Sequence, residues 1–522
     1  MADMPILPVL SPELLALVFA QFCLHCSGEY DQPSGIYTLQ QLYHQRHPND
    51  GRHQSQDPSG HSLGRHTLFS LCLVSRKFRD LAQPILYHDF SLGHGNSWQY
   101  ERYTWDRRLI SFLRTTTQRP DLGGLVKTVS IHPFLLDAIS IDDARACLMQ
   151  AADARGINLP EAWRQRAVTT PSDERKRWPL HFTSFLNCFW ERNGDDEVQR
   201  RWNRALTTTS GFRTVAAELV PMLIAQLPNL EYFNLQPGDV WPKMRIVDSA
   251  FTALNLSTLH LKTLTIDGLN SPLLKLSPGL ETLNLHLCYP SNAESTPTLP
   301  ALTTLRITQS QITEYHLRIL LSSCTRRLRT FVHEAFADIG VYNSPVAIMP
   351  AYNQFVPCEA MKHLEYYNHG ETLKSLHLDH RQQHIVASAD ADKPAFSLKG
   401  FEALKHLFIS SNVIYNGSEL ELDDPMSLVK RIPRSIRSLR ISHHVETDGS
   451  QLKNGLINLA DLKRRQPTEF PNLELIRCDT ELEFDDTLEK LFASVGVDFG
   501  YDTWSLSEER PYLPSKSPAA DE

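Results

Sequence analysis

The sequence predicts an α/β fold, a solenoid of helix-turn-strand units preceded by a small all-helical module. Three observations predict it: an apolar pattern that recurs between residues 126 and 478, two amphipathic stripes near the amino end, and the length. At 522 residues the chain exceeds the roughly 250 to 300 at which a single core stops growing, unless repeats extend it.

The first helix is expected to start at Ser11. Its hydroxyl can cap, Pro12 suits the first helical position, and Glu13 favours the positive end of the helix dipole. Leu14, Leu15, Val18, Phe19 and Phe22 then share one wide stripe. From about 27 to 66 the chain is rich in His, Gln, Ser, Gly, Asp and Pro and holds neither helical nor strand period, which predicts a flexible polar insertion. The stripe resumes as a second helix over 68–82, with Leu71, Val74, Phe78, Leu81 and Ala82 on one face, and is expected to end before Pro84. Residues 1–90 thus read as a helical module with an insertion.

Past residue 120 a short strand unit recurs: an apolar position, two variable ones, a second apolar position, one variable, a third. Val126, Val129 and Ile131 open the series. Copies then begin at Leu230, Leu261, Leu280, Leu302, Leu328, Leu373, Leu404, Ile436 and Leu473, a mean spacing of about 30 residues, near the upper end of known strand-helix repeats. Helical patterns at 215–227, 316–324 and 359–367 precede three of the strands. One such unit buries too few apolar side chains to offset the entropy of ordering it, so neighbours must stack to complete the core. The array is expected over 105–500, with an insertion at about 140–212. There Trp163, Trp178, Trp190 and Trp202 alternate with arginines, a pattern suited to single-stranded nucleic acid. Glu161, Asp173, Glu174, Glu191, Asp195, Asp196 and Glu197 dilute that charge, so inserted amphipathic helices are the reading. The tail, 505–522, is expected to be disordered.

Composition narrows the function classes. Against 52 Lys and Arg stand 60 Asp and Glu, a net charge of −8, so no chain-wide attraction to phosphate backbones exists and nucleic acid is not an expected partner. No apolar run reaches the roughly 18 to 20 residues of a membrane span. Nine cysteines scattered singly suit reduced thiols, and residues 1–5 lack a cationic signal region, so a cytoplasmic or nuclear location is expected.

Two motifs suggest chemistry and are read as decoys. Gly60-His61-Ser62-Leu63-Gly64 fits the nucleophile elbow of serine hydrolases, but the polar residues before it cannot form the buried strand an elbow requires. Cys23 and Cys26 with His44 and His47 offer four candidate metal ligands, yet the histidine spacing is shorter than zinc sites use, and both thiols read as packing on a continuation of the first helix. No enzyme activity, metal or cofactor is expected.

The stripes Leu10-Ser11-Pro12-Glu13-Leu14-Leu15 with Val18-Phe19, and Leu73-Val74-Ser75-Arg76-Lys77-Phe78-Arg79-Asp80-Leu81-Ala82, resemble the two ends of an F-box. Ser11 separates the leucine from the proline of the usual pattern, and the insertion roughly doubles the distance between the halves. With the irregular leucine-rich repeats behind it, the chain resembles F-box receptors of SCF-type ubiquitin ligases. That resemblance implies an adaptor subunit as partner, a cullin reached through it, and a target protein held by the repeats. The positions matching the motif's apolar residues are Leu10, Pro12, Leu14, Leu15, Val18, Phe19, Val74, Phe78 and Leu81, expected to face the adaptor or the module's own core. In a solenoid the strands line one face, so strand residues that point to solvent form the default target surface. Those are Tyr232, Asn234, Asn284, His286, Arg306, His377, Asp379 and Arg440. The alternative is a leucine-rich scaffold unconnected to ubiquitin, whose first helices cap the array.

Overall fold

The structure is a computed structural model and describes residues 10–27, 60–91, 107–131, 135–136, 139–169, 209–235, 246, 248–269, 271–286, 288, 296–310, 312–335, 357–381, 397–415, 426–443, 449–479 and 486–502. Most of the expected insertion at 27–66, with His44 and His47, lies outside them, as do Trp178, Trp190, Trp202 and the tail. The chain divides into two compact units, residues 1–261 with 271–277, and residues 262–270 with 278–522.

The first unit opens with α1 (Pro12–Ala20), α2 (Leu24–Ser27), α3 (Gly60–Val74) and α4 (Arg76–Tyr87). Ser11 is extended and its hydroxyl accepts from the Leu14 N–H at 3.4 Å, so α1 begins where its cap predicts. The second stripe departs from expectation in three ways. Its first helix starts at Gly60, inside the expected insertion. It breaks at Ser75, which is extended and caps α4 by accepting from the Phe78 N–H at 3.2 Å. Finally, α4 runs through Pro84. Proline removes the hydrogen bond to the carbonyl four residues back, that of Asp80, an exposed residue.

The helices share one core. Phe19, Cys23, Leu68, Ala82 and Ile85 are buried in it, and Leu15, Phe22, Leu71, Cys72, Phe78, Leu81 and Leu86 pack around them. The two sequence stripes therefore meet across the insertion.

Strands β1 (Asp89–Ser91), β2 (Thr128–Ile131) and β3 (Tyr232–Leu235) run parallel, with Phe90, Val129 and Phe233 in register. Helices Arg108–Gln118, Ile141–Ala154, Leu159–Thr169 and Thr209–Ala225 lie between these strands in sequence. Trp163, in the expected insertion, is 1% exposed, which removes it as a stacking platform.

Among the described residues the second unit holds nine parallel strands in sequence order: β4 (Thr263–Ile266), β5 (Thr282–His286), β6 (Thr304–Ser310), β7 (Thr330–Ala335), β8 (Ser375–Asp379), β9 (His406–Ser410), β10 (Ser438–Ser442), β11 (Leu475–Asp479) and β12 (Asp498–Asp502). The second apolar position of the repeat forms a buried column: Leu264, Leu283, Leu305, Phe331, Leu376, Leu407, Leu439, Ile476 and Phe499 stand in register. Strands β5 to β11 also enter the sheet the same way. The carbonyls of Lys262, Glu281, Thr303, Arg329, Lys374, Lys405 and Arg437 each accept two consecutive N–H groups from the next strand, at 2.8 to 3.2 Å. Helices Glu314–Ser323, Pro357–Tyr366, Ser427–Arg431, Gly449–Arg465 and Thr487–Ala493 fall between strands, giving the alternation the pattern predicts. Two strands lie outside the copies read from the sequence: β1, where Tyr87, Phe90 and Leu92 keep the spacing of the pattern, and β12, where Gly496 holds the first position while Phe499 and Tyr501 hold the other two. Among the described residues no helix is long and apolar enough to cross a membrane.

Candidate functional site

Helix α1 is apolar on nearly every side: Leu14, Leu15, Ala16, Leu17, Val18, Phe19 and Ala20 follow one another. A helix of that character ordinarily belongs in an interior. Here one side is covered, with Phe19 buried and Leu15 packed on the core. The other side meets water, with Leu14 50%, Leu17 64% and Val18 50% exposed. Helix α3 repeats the arrangement. Leu68 is buried, while Phe69, Leu73 and Val74 are exposed, Leu73 to 72%.

The structure thus divides the expected adaptor set by role. Leu10, Pro12, Leu14, Val18 and Val74 are exposed, whereas Leu15, Phe19, Phe78 and Leu81 belong to the core. Leu17, Leu63, Phe69 and Leu73 join the exposed group and were not singled out from the sequence. The signal existed: Leu17 follows Leu14 by three residues and Leu73 follows Phe69 by four, helical neighbours in each case.

The expected target surface departs more strongly from expectation. Tyr232, Asn234, Asn284, His286, His377 and Asp379 are buried, and only Arg306 and Arg440 are half-buried. The reason lies in parallel register, which brings like positions of adjacent strands together and lets their polar groups pair. Asn234 Nδ2 donates to Ser130 Oγ at 3.0 Å, and Asn284 Nδ2 donates to Thr265 Oγ1 at 3.1 Å. His286 Nδ1 lies 2.9 Å from Thr308 Oγ1, and the His377 ring stacks on Phe408 with centroids 3.8 Å apart. Arg381 holds Asp379 at 2.8 Å and reaches Asp479 at 3.4 Å. Burial pushes both His286 and His377 down to about 3, so they are neutral at physiological pH. Burial also raises the Asp379 carboxyl, but the Arg381 guanidinium outweighs it and holds that group below its ordinary range. Polar groups of adjacent strands thus pair with one another, although Asn234 Oδ1, Asn284 Oδ1 and His377 Nε2 are buried without a hydrogen bond.

The elbow-like motif takes a different place from a hydrolase elbow. Ser62 lies in the first turn of α3, with no strand before it among the described residues. Gly64 is buried where that helix crosses the chain after α1, and a Cβ there would stand 3.1 Å from the Phe22 carbonyl oxygen. The motif's second glycine serves a close helix approach.

Cys23 and Cys26 do not continue α1 as expected, because a turn at Gln21 and Phe22 separates it from α2. That turn aims both thiols at His88, the C-cap residue of α4. Cys26 Sγ lies 3.2 Å from His88 Nδ1 and 3.7 Å from His25 Nδ1. The rings of His25 and His88 meet edge to face at 5.3 Å. A hydrogen bond from Cys23 lowers the Cys26 thiol to about 7, while that bond and burial raise Cys23. No local spacing could reveal His88, which lies 62 residues beyond Cys26.

A cleft of about 590 Å³ also opens in the first unit, beside Thr116, Thr117, Arg155, Gln226 and His260. Both threonine hydroxyls donate to Gln226 Oε1, at 2.8 and 2.9 Å, which fixes its wall. No known family model matches this sequence, and no curated protein matches it.

Proposed function

We propose that this chain is the substrate-recognition subunit of a cullin-based, SCF-type ubiquitin ligase, acting in the cytoplasm or nucleus. Its F-box-like helices dock on the adaptor and its leucine-rich solenoid holds the target protein. One observation carries the reading: α1 and α3 share a core on one side and expose Leu14, Leu17, Val18, Leu73 and Val74 on the other. A nine-residue helix is marginal in water, and burying its second apolar side against a partner supplies stability that its own module does not. The exposed residues fall within the two stretches that resemble the F-box ends.

No bond is made or broken by this chain in that role. Its contribution is effective concentration, since a target lysine held beside a charged conjugating enzyme reacts as if intramolecularly. The sequential parallel strands of the second unit support the solenoid reading, and within the expected target set Arg306 and Arg440 remain the positions with accessible surface.

The test is affinity capture from cell extract, scored for the adaptor and the cullin. The unaltered chain is expected to retain both, and Leu14→Asp with Val74→Asp to retain neither while the strands of the second unit stay folded. A chain that captures no adaptor, or a double variant that captures it equally well, leaves the scaffold alternative standing.

A further inference from the structure

We propose that Cys23, His25, Cys26 and His88 form a structural zinc site that staples the chain after α1 to the end of α4. The four candidate ligand atoms, two sulfurs and two ring nitrogens, all lie within 4.8 Å of one another. Tetrahedral zinc with sulfur at about 2.3 Å and nitrogen at about 2.0 to 2.1 Å places its ligand atoms roughly 3.3 to 3.8 Å apart. The separations of 3.2 and 3.7 Å from Cys26 Sγ to the two nitrogens are close to that scale, and with the whole set inside 4.8 Å the side chains need to draw in by about an ångström at most to hold an ion.

The chemistry of the set selects the metal. Two thiolates and two imidazoles are the Cys2His2 donor type, which favours zinc over the oxygen-seeking magnesium and calcium. Binding releases the two thiol protons, and two thiolate charges then balance the divalent ion, so the site carries no net charge into a partly buried position. Cys23 is buried, His25 and His88 are half-buried and Cys26 is exposed, which leaves a path for the ion to enter.

The topology gives the site its purpose. Cys23, His25 and Cys26 lie within four consecutive residues next to α1, and His88 joins α4 to β1. The His88 carbonyl also accepts the Lys127 and Thr128 N–H groups, at 2.8 and 2.9 Å, at the entry to β2. A metal held there fixes α1 on α4 and anchors both to the first parallel strands. It would do so in a chain that never meets an adaptor, so the proposal is independent of the ligase reading.

The test uses the full-length chain, expressed with added zinc and kept reduced, without any partner. Metal analysis is expected to give one zinc per chain, and X-ray absorption on the unaltered protein a shell of two sulfurs and two nitrogens. Cobalt exchange is expected to give the intense visible bands of a tetrahedral thiolate site. Cys26→Ser, His25→Ala and His88→Ala each lose the metal or weaken its retention against a chelator at least tenfold. Cys72→Ser, in the same core, and the His44→Ala, His47→Ala pair retain it. A reduced chain that binds no zinc, a shell lacking sulfur, or a metal that survives loss of Cys26 and His88 overturns the proposal. The absorption experiment needs no variant, so misfolding of a substituted chain cannot mask the result.

Discussion

The rings of Phe19 and Phe78 meet edge to face, with centroids 5.7 Å apart and planes at 79°. This contact joins α1 to α4 across the polar insertion. Phe19 is 4% exposed, so Phe19→Ala removes a buried ring and leaves a cavity, at a cost of about 3 to 5 kcal/mol. Hydrogen exchange is expected to rise throughout α1 and α4 while β4 to β12 keep their protection. Unchanged exchange in α1 would mean that the two stripes fold independently.

Exposed apolar residues of α1 and α3 should behave oppositely. Leu14 lies in the first turn of α1, where an aspartate suits the helix dipole, and Leu73 lies in the last turn of α3, where a lysine does. Leu14→Asp and Leu73→Lys should each change folding stability by no more than about 0.5 kcal/mol. Adaptor affinity should nevertheless fall by about 100-fold or more, since the apolar centre of an interface carries most of its energy. Titration calorimetry against purified adaptor, beside urea unfolding of each variant, separates the two effects. Full affinity in both variants would remove this face as the docking surface.

The strands were the most legible part of the fold. Each strand from β2 to β11 coincides with a copy of the apolar pattern, because stacked parallel strands must place equivalent side chains in one column. At β7 the third position of the pattern is His333, which stands in register with Ile307 and Leu378. A period read from apolar residues passes over such a site, although His333 is 1% exposed and lies 3.2 Å from His380. The same blindness affected the sheet face. Alternation marks which residues point away from the helices, but not that Asn284 finds Thr265, or Arg381 finds Asp479 across 98 residues. At the amino end Ser11 and Ser75 both cap helices, but the second lies inside an apolar period that runs unbroken over 68–82 and so hides the break. His88 joins Cys23 and Cys26 through tertiary packing, which no spacing rule encodes.

The Arg381 guanidinium lies between Asp379 and Asp479, both nearly inaccessible to water. Arg381→Met leaves two buried carboxylates without their counter-charge, and breaking a buried pair from one side costs about 3 to 5 kcal/mol. Asp479→Asn in the same chain removes one of the stranded charges and should recover part of that loss. A double-mutant cycle by urea unfolding measures the coupling. A loss below about 1 kcal/mol for Arg381→Met would show that the carboxylates are relieved some other way.

Acid should destabilise the second unit well before its carboxylates titrate. His286 and His377 titrate at about 3 in the folded chain because burial disfavours their charged forms. Burial, with His380 and His377 nearby, holds His333 well below its ordinary value too. The unfolded chain titrates these groups near 6.5, so above that pH folded and unfolded forms are alike neutral and the groups leave stability unchanged. Below it, only the unfolded chain takes up protons, and stability falls continuously toward pH 3. Each fully shifted histidine contributes a slope of at most about 1.4 kcal/mol per pH unit. Asp379 acts in a separate window: its lowered folded value stabilises above about 3.8 and is lost only below that. The groups nearest His377 are Asp379, which opposes its shift, and Arg381, Arg440 and Arg306, which reinforce it. Urea unfolding between about pH 7 and pH 5 should therefore show a steep loss of stability with proton uptake on unfolding. His333→Leu should flatten that slope, since leucine suits a column already holding Ile307 and Leu378. A stability independent of pH across this range would mean that water reaches these imidazoles and that the sheet face is open.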